Sequence, residues 1–167
     1  MNRLGAALLG EVQDPPIQSL YVFGSNPAAI APNAARVMAG LQREDLFTVV
    51  HDLFLTDTAD YADIVLPATS HLEQTDVHKA YGHTIQTYNH QAIPPLGEAK
   101  SNWEVMGLLA QEMGLSDDWL HQSAEEVIRE VWAATAAENP VLQGLSLDEL
   151  KRAGHLPYTQ EEAVPFA

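Results

Sequence analysis

The sequence predicts an α/β protein: a doubly wound, mainly parallel sheet with helices on both faces, followed by a helical C-terminal tail. Three observations carry that prediction. Residues 20–23, 47–50 and 64–66 form apolar, β-rich runs that are continuous rather than alternating, the pattern of strands covered on both faces. A helical pattern lies between the first two runs. Beyond residue 100, helix-capping signals and apolar residues at helical spacing replace the strand pattern.

Each element has its own punctuation. The first run ends in Gly24-Ser25-Asn26-Pro27, the second in His51-Asp52 and the third at Pro67. Between the first two, Asn33 is placed to cap a helix whose Val37, Met38 and Leu41 share one face. Strand, loop, helix and strand within about 30 residues make a βαβ unit, which is right-handed by strong precedent. Residues 56–61 have room for one or two helical turns, and residues 84–93 are predicted to pair as an extended edge segment. In the tail, Ser101/Glu104, Ser123/Glu126 and Ser146/Glu149 match the capping box. Val105, Leu108, Leu109 and Met113 follow the first box at helical spacing, and Val127, Ile128, Val131 and Trp132 follow the second. Gly114 and Gly154 stand where helices stop. Pro157 and Pro165 predict an irregular last ten residues, a linker. The chain therefore divides into an α/β region over 1–115 and a helical extension of the same domain over 116–167.

Composition narrows the function. At 167 residues the chain is about one domain in size. Eight basic against 23 acidic residues give a net charge of −15, with −6 over residues 1–100 and −9 over 101–167. That excludes a binder of nucleic-acid backbone and argues against an anionic membrane surface. With no cysteine, the chain has no disulfide scaffold, Cys-ligated zinc, iron–sulfur cluster or thiol nucleophile. No apolar run approaches a membrane span, and the first residues lack the features of a secretory signal, so a cytoplasmic location is expected.

Ligands of open parallel sheets sit outside the carboxyl ends of the strands. Gly24 lets the backbone approach a ligand there and Asn26 offers an amide donor and acceptor, although Gly-Ser-Asn-Pro also serves as a plain turn. No G-x-G-x-x-G is present. Asp52 stands where such folds place an acid for ribose hydroxyls, and a carboxylate also suits the N1 and N2 donors of guanine; capping the next turn is the alternative role. Asp57, Asp60 and Asp63 read as structural or solvated. His71, His78, His83 and His90 are spaced 7, 5 and 7 apart, which no helix or strand period unites, so no metal site is assigned despite Glu73 and Asp76 nearby. No nucleophile elbow occurs, and Trp103, Trp119 and Trp132 read as core. From its residues alone, the chain is a nucleotide-binding candidate with no catalytic residue of its own.

Three motifs in order, YVFGSNPAA, LFTVVHDLFLTDTADYADIVLPATSHLE and GEAKSNWEVMGLLAQEMG, resemble the molybdopterin oxidoreductases. This family uses bis-molybdopterin guanine dinucleotide (Mo-bis-MGD) and includes formate dehydrogenases, nitrate reductases and dimethyl sulfoxide reductase. The resemblance covers about residues 15–115, and ADIVLP is its most specific piece. It implies a Rossmann-like domain that is one fragment of a larger enzyme. The partners it implies are the enzyme's remaining domains, which carry the molybdenum ligand and, in many members, an iron–sulfur cluster. By position, it implies that Gly24 and Asn26 approach the nucleotide and that His51 and Asp52 hold guanosine. Gln74 falls where lysine is frequent and Asn102 where aspartate is frequent, so both cofactor-binding positions exchange a charge for an amide. Thr56 and Thr58 belong to the same signature and are read as starting the short helix. The isolated chain is expected to carry no bound cofactor or metal and to hold guanine nucleotides only weakly. The alternative is a stand-alone nucleotide-binding or interaction module without catalysis.

Overall fold

A computed structural model describes residues 3–12, 15–78 and 81–157. The elements run α1 (Leu4–Leu8), β1 (Ser19–Phe23), α2 (Pro27–Ile30), α3 (Ala34–Leu41), β2 (Phe47–Asp52), β3 (Ile64–Pro67), β4 (Asp76–His78), β5 (Ile85–Asn89), α4 (Asn102–Glu112), α5 (Ala124–Glu138), α6 (Leu147–Ala153) and β6 (His155–Pro157). Short 3₁₀ turns occupy Ala59–Tyr61, Asp118–His121 and Pro140–Leu142. No helix among the described residues is long and apolar enough to cross a membrane. The chain forms two compact units. The first comprises residues 1–68 and 97–102, the second residues 69–96 and 103–167, so position 115 lies inside the second.

In the first unit the three apolar runs are adjacent parallel strands in the order β1-β2-β3. Tyr21 lies beside Val49, and Val49 beside Ile64, which fixes the faces, because side chains alternate along a strand. Leu20, Val22, Thr48 and Val50 share the face that packs into the core. That core gathers Leu8, Val37, Leu41 and Leu46 in one cluster and Val22, Val50 and Ala59 in another. Cover of the second face is incomplete among the described residues. On the other face Phe23, Phe47 and Ile64 remain about half exposed.

Helix α1 packs on α3 through glycine. A Cβ on Gly40 would lie 2.5 Å from the Leu8 Cβ, so this approach requires the missing side chain. Arg43 then joins the two ends of the layer, reaching the Leu8 and Ile17 carbonyls while its guanidinium pairs with Asp45. Helix α3 begins where the sequence places it, but its predicted cap is absent. Asn33 adopts the left-handed region at φ 58° and makes no side-chain capping bond. Val37 and Leu41 are buried as expected.

The second unit is an antiparallel sheet of order β4-β5-β6, with β5 central rather than at an edge. The reason is distant in sequence: β6 pairs with β5 across a helical stretch, Ile85 lying opposite Pro157. Tyr88, Leu147 and Leu150 form the core, with Val77, Ile128, Trp132 and Leu156 packed around them. Lys151 pairs with Glu125 and lies 5.6 Å above the Tyr88 ring. The ion pair raises the Lys151 pKa and lowers that of Glu125. Ser123 and Glu126 complete the predicted capping box of α5, and Ser146 accepts from the Glu149 amide at the start of α6. Gly154 ends α6 in the left-handed region, as predicted. One expectation of burial fails, at Trp119. Trp119 is 59% exposed rather than core, and Leu108 and Leu109 on α4 and Met113 just after it are exposed as well. The predicted linker over the last ten residues lies outside the described residues.

Candidate functional site

Parallel pairing brings the carboxyl ends of β1, β2 and β3 to one edge, and backbone hydrogen bonds lace the following loops together. The Gly24 N–H donates to the His51 carbonyl at 3.1 Å, and the Ala68 N–H donates to the Asp52 carbonyl at 3.1 Å. Residues 97–102 return to this edge: Lys100 N–H donates to the Pro67 carbonyl at 3.1 Å, and Lys100 bridges in parallel to Ala68. Gly24, the pair His51-Asp52 and the stretch from Lys100 to Asn102 are thereby assembled from three separate parts of the sequence. Gly24 stands at φ 53° with open space where a Cβ would be, so a ligand can approach its backbone closely.

Asn26 sits just before α2, and its side chain joins two loops. Its Nδ2 donates to Asp57 Oδ2 at 2.8 Å, while its Oδ1 accepts from the Thr58 hydroxyl at 2.8 Å and the Thr58 amide at 3.2 Å. Thr58, completely buried, accepts in turn from the Ala28 N–H at 3.0 Å. The loop after β1 is therefore held by the turn after β2. Thr58 and Asp57 are the residues that sequence reasoning underweighted. Their signal was the Thr-Asp-Thr run of the family-like motif, which reads equally well as a helix start.

His51 and Asp52, adjacent in sequence, point to opposite faces of β2 and meet different fates. The His51 imidazole is completely buried, with Tyr21 edge-on and ring centroids 6.4 Å apart. Its Nε2 lies 3.1 Å from the Lys100 carbonyl, which can only accept, so Nε2 carries the proton. The His51 side chain thus fixes the returning segment rather than presenting itself at the surface. Asp52 is half-buried, and its Oδ1 accepts from the Phe54 N–H at 3.3 Å. Its Oδ2 makes no hydrogen bond among the described residues.

Asn102 is exposed at the start of α4, two residues beyond the Lys100 bridge. Lys100 was not singled out from the sequence. It brings to this edge an exposed ammonium that forms no ion pair among the described residues. Gln74 belongs to the second unit, where its Oε1 accepts from the Thr69 hydroxyl at 2.7 Å and its carbonyl from Asn89 Nδ2. Beside it, Glu73 accepts from the amide and hydroxyl of Ser70 and from the Leu96 amide, and these bonds hold its carboxyl below the usual range. Three imidazoles of that unit are engaged locally: His83 Nδ1 accepts from the Ile85 N–H at 3.2 Å, His90 Nε2 lies 2.7 Å from the Lys151 carbonyl and His121 Nε2 lies 2.9 Å from the Leu115 carbonyl. A cleft of about 630 Å³ is lined there by Val77, Gln86, Val127, Ile128, Trp132 and Leu142, among others.

Comparison with known proteins gives this edge a context. A family model described as molybdopterin oxidoreductase matches residues 3–112. "Probable oxidoreductase YoaE" of Bacillus subtilis (strain 168) is 49% identical over 164 residues, covering 98% of this chain and 24% of that protein. A protein of Staphylococcus haemolyticus (strain JCSC1435) named as a formate dehydrogenase is 38% identical over 135 residues, covering 81% of this chain and 13% of its own length. Among solved structures, the acetylene hydratase of Pelobacter acetylenicus shares the fold with a TM-score of 0.68. Its identity is 24%, and the match covers 93% of this chain and 21% of that one. The chain thus spans a quarter or less of the relatives it matches.

Proposed function

Because this chain belongs to the molybdopterin oxidoreductase family, we propose that the carboxyl edge of its parallel sheet holds the guanosine end of a molybdopterin guanine dinucleotide within a larger oxidoreductase. The observation that carries the proposal is the convergence of the Gly24 loop, Asp52 and the segment leading to Asn102 on that one edge. The donor set fits the group. Asp52 keeps a carboxylate oxygen for the donors of guanine or ribose. Gly24 has its own N–H engaged with His51, which leaves the Ser25 and Asn26 amides as the loop's donors for phosphate. Asn102 supplies an amide and Lys100 a positive charge. His51 acts from beneath by fixing the Lys100 carbonyl. Gln74, the remaining position that the resemblance implies, belongs to the second unit.

When bound, the cofactor supplies oxygen-atom or hydride chemistry at molybdenum, and the residues of this chain only bind and orient it. The molybdenum ligand, the substrate pocket and any iron–sulfur cluster belong to segments outside this chain. We further propose that the parent covers the half-exposed Phe23, Phe47 and Ile64, giving the sheet the doubly wound, Rossmann-like arrangement.

The test uses the parent enzyme. Asp52→Ala removes a charged acceptor worth about 1.5–3 kcal/mol per bond. The purified variant is expected to carry less guanine nucleotide and less molybdenum than the wild type while remaining folded. Unchanged guanine and molybdenum content would overturn the assignment of Asp52.

A further inference from the structure

We propose that Phe54 is the stacking platform for the guanine base, so that Asp52 and Phe54 together form a base-recognition pair. This rests on the guanosine reading above and goes beyond it by naming the surface on which the base lies. Leu53, Phe54 and Leu55 are three consecutive apolar side chains, all more than half exposed, in the loop that leaves β2. Such a run on a folded surface has no stabilising role and points to a contact surface. Phe54 is 76% exposed, yet its backbone is held: its N–H donates to Asp52 Oδ1 at 3.3 Å. The aromatic ring and the carboxylate are therefore coupled through one short turn at the ligand edge. A carboxylate takes the N1–H and N2–H donors along the edge of guanine, and an aromatic face takes the plane of the same base.

The charge of the chain makes a neutral contact valuable. At −15, the chain repels a nucleotide's phosphates at long range. Among the described residues, Lys100 brings one opposing cation to this edge. Stacking depends on no charge and excludes water from one face of the base, so it supplies attraction that electrostatics here does not. It is also indifferent to base identity, because every base has a π-face. Discrimination for guanine then falls to Asp52 and affinity to Phe54.

Titration of guanosine monophosphate and inosine monophosphate into the full chain, carried to the millimolar concentrations that a weak half-walled site requires and followed by NMR, separates the two roles. Inosine lacks the N2 donor but keeps the aromatic plane. Phe54 is exposed, so its substitution leaves the core intact. Expected are upfield ring-current shifts of the Phe54 ring protons with both nucleotides. Phe54→Leu should weaken both by about fivefold or more, with Phe54→Tyr restoring them. Asp52→Asn should remove the preference for guanosine over inosine monophosphate. If Asp52→Asn weakens guanosine monophosphate while the Phe54 ring is unshifted and Phe54→Leu binds normally, stacking is wrong and the guanosine site stands. If neither variant alters binding, or the wild type binds neither nucleotide, both proposals fall.

Discussion

Thr58 shows how much one hydroxyl holds in place at the ligand edge. It donates to Asn26 and accepts from Ala28 while completely buried, so its removal leaves an amide N–H without a partner inside the protein. Thr58→Val preserves shape and removes only the hydroxyl. Leaving a buried donor unsatisfied costs about 1–3 kcal/mol, so the urea midpoint should fall accordingly and Thr58→Ser should recover most of the loss. An unchanged midpoint would show that the tie carries no stability. The candidate residues Asn26, His51 and Asp52 were legible in the sequence as positions, because strand ends and turn residues mark them. Their division of labour was not. Whether a side chain stays open at the strand end, as Asp52 does, or is buried, as His51 is, depends on strand facing and on the return of residues 97–102.

Elements were legible where a local signal sufficed. The capping box of α5 and the Gly154 stop of α6 need only neighbouring residues, and both stand as predicted. Helix α1 carries no such signal; it exists because its Leu8 is buried against α3. Gly40 makes the dependence testable. In an isolated helix, Gly→Ala stabilises by about 1 kcal/mol. Here the added Cβ would lie 2.5 Å from Leu8 Cβ, which neither backbone can relieve without moving. Overpacking of this kind costs about 1–3 kcal/mol, so Gly40→Ala should destabilise the chain in thermal denaturation, against the helix-propensity trend. A raised midpoint would mean that α1 and α3 separate freely. Strand β5 teaches the same lesson from the other side. Its local pattern suits an edge, and only β6, far along the chain, makes it central.

At the scale of the whole molecule, the chain is an acidic fragment of a family whose members are several times longer. Its residues include no cysteine and no motif that matches the family's metal-ligand segment. The isolated chain should therefore show no turnover of formate, nitrate or sulfoxide, and elemental analysis should find no molybdenum. A full equivalent of bound molybdenum would contradict the division of roles proposed for the chain and its parent. Division into two compact units adds a constraint that composition missed. The shift in charge and pattern near residue 100 marks where helices come to dominate, whereas contacts group residues 69–96 with the tail and residues 97–102 with the parallel sheet.

The sequence by itself determined the parallel strand runs, their punctuation, the capped helices and, through its motifs, the family. All of these are encoded within windows of a few tens of residues, where periodicity and turn chemistry act locally. Tertiary structure alone decided which face of each strand is covered, that β6 completes the second sheet, that His51 is buried while Asp52 stays half-exposed, and that Phe54 stands exposed beside Asp52. These outcomes depend on pairings between residues up to about 70 positions apart, and local sequence preferences carry no information about a partner that distant.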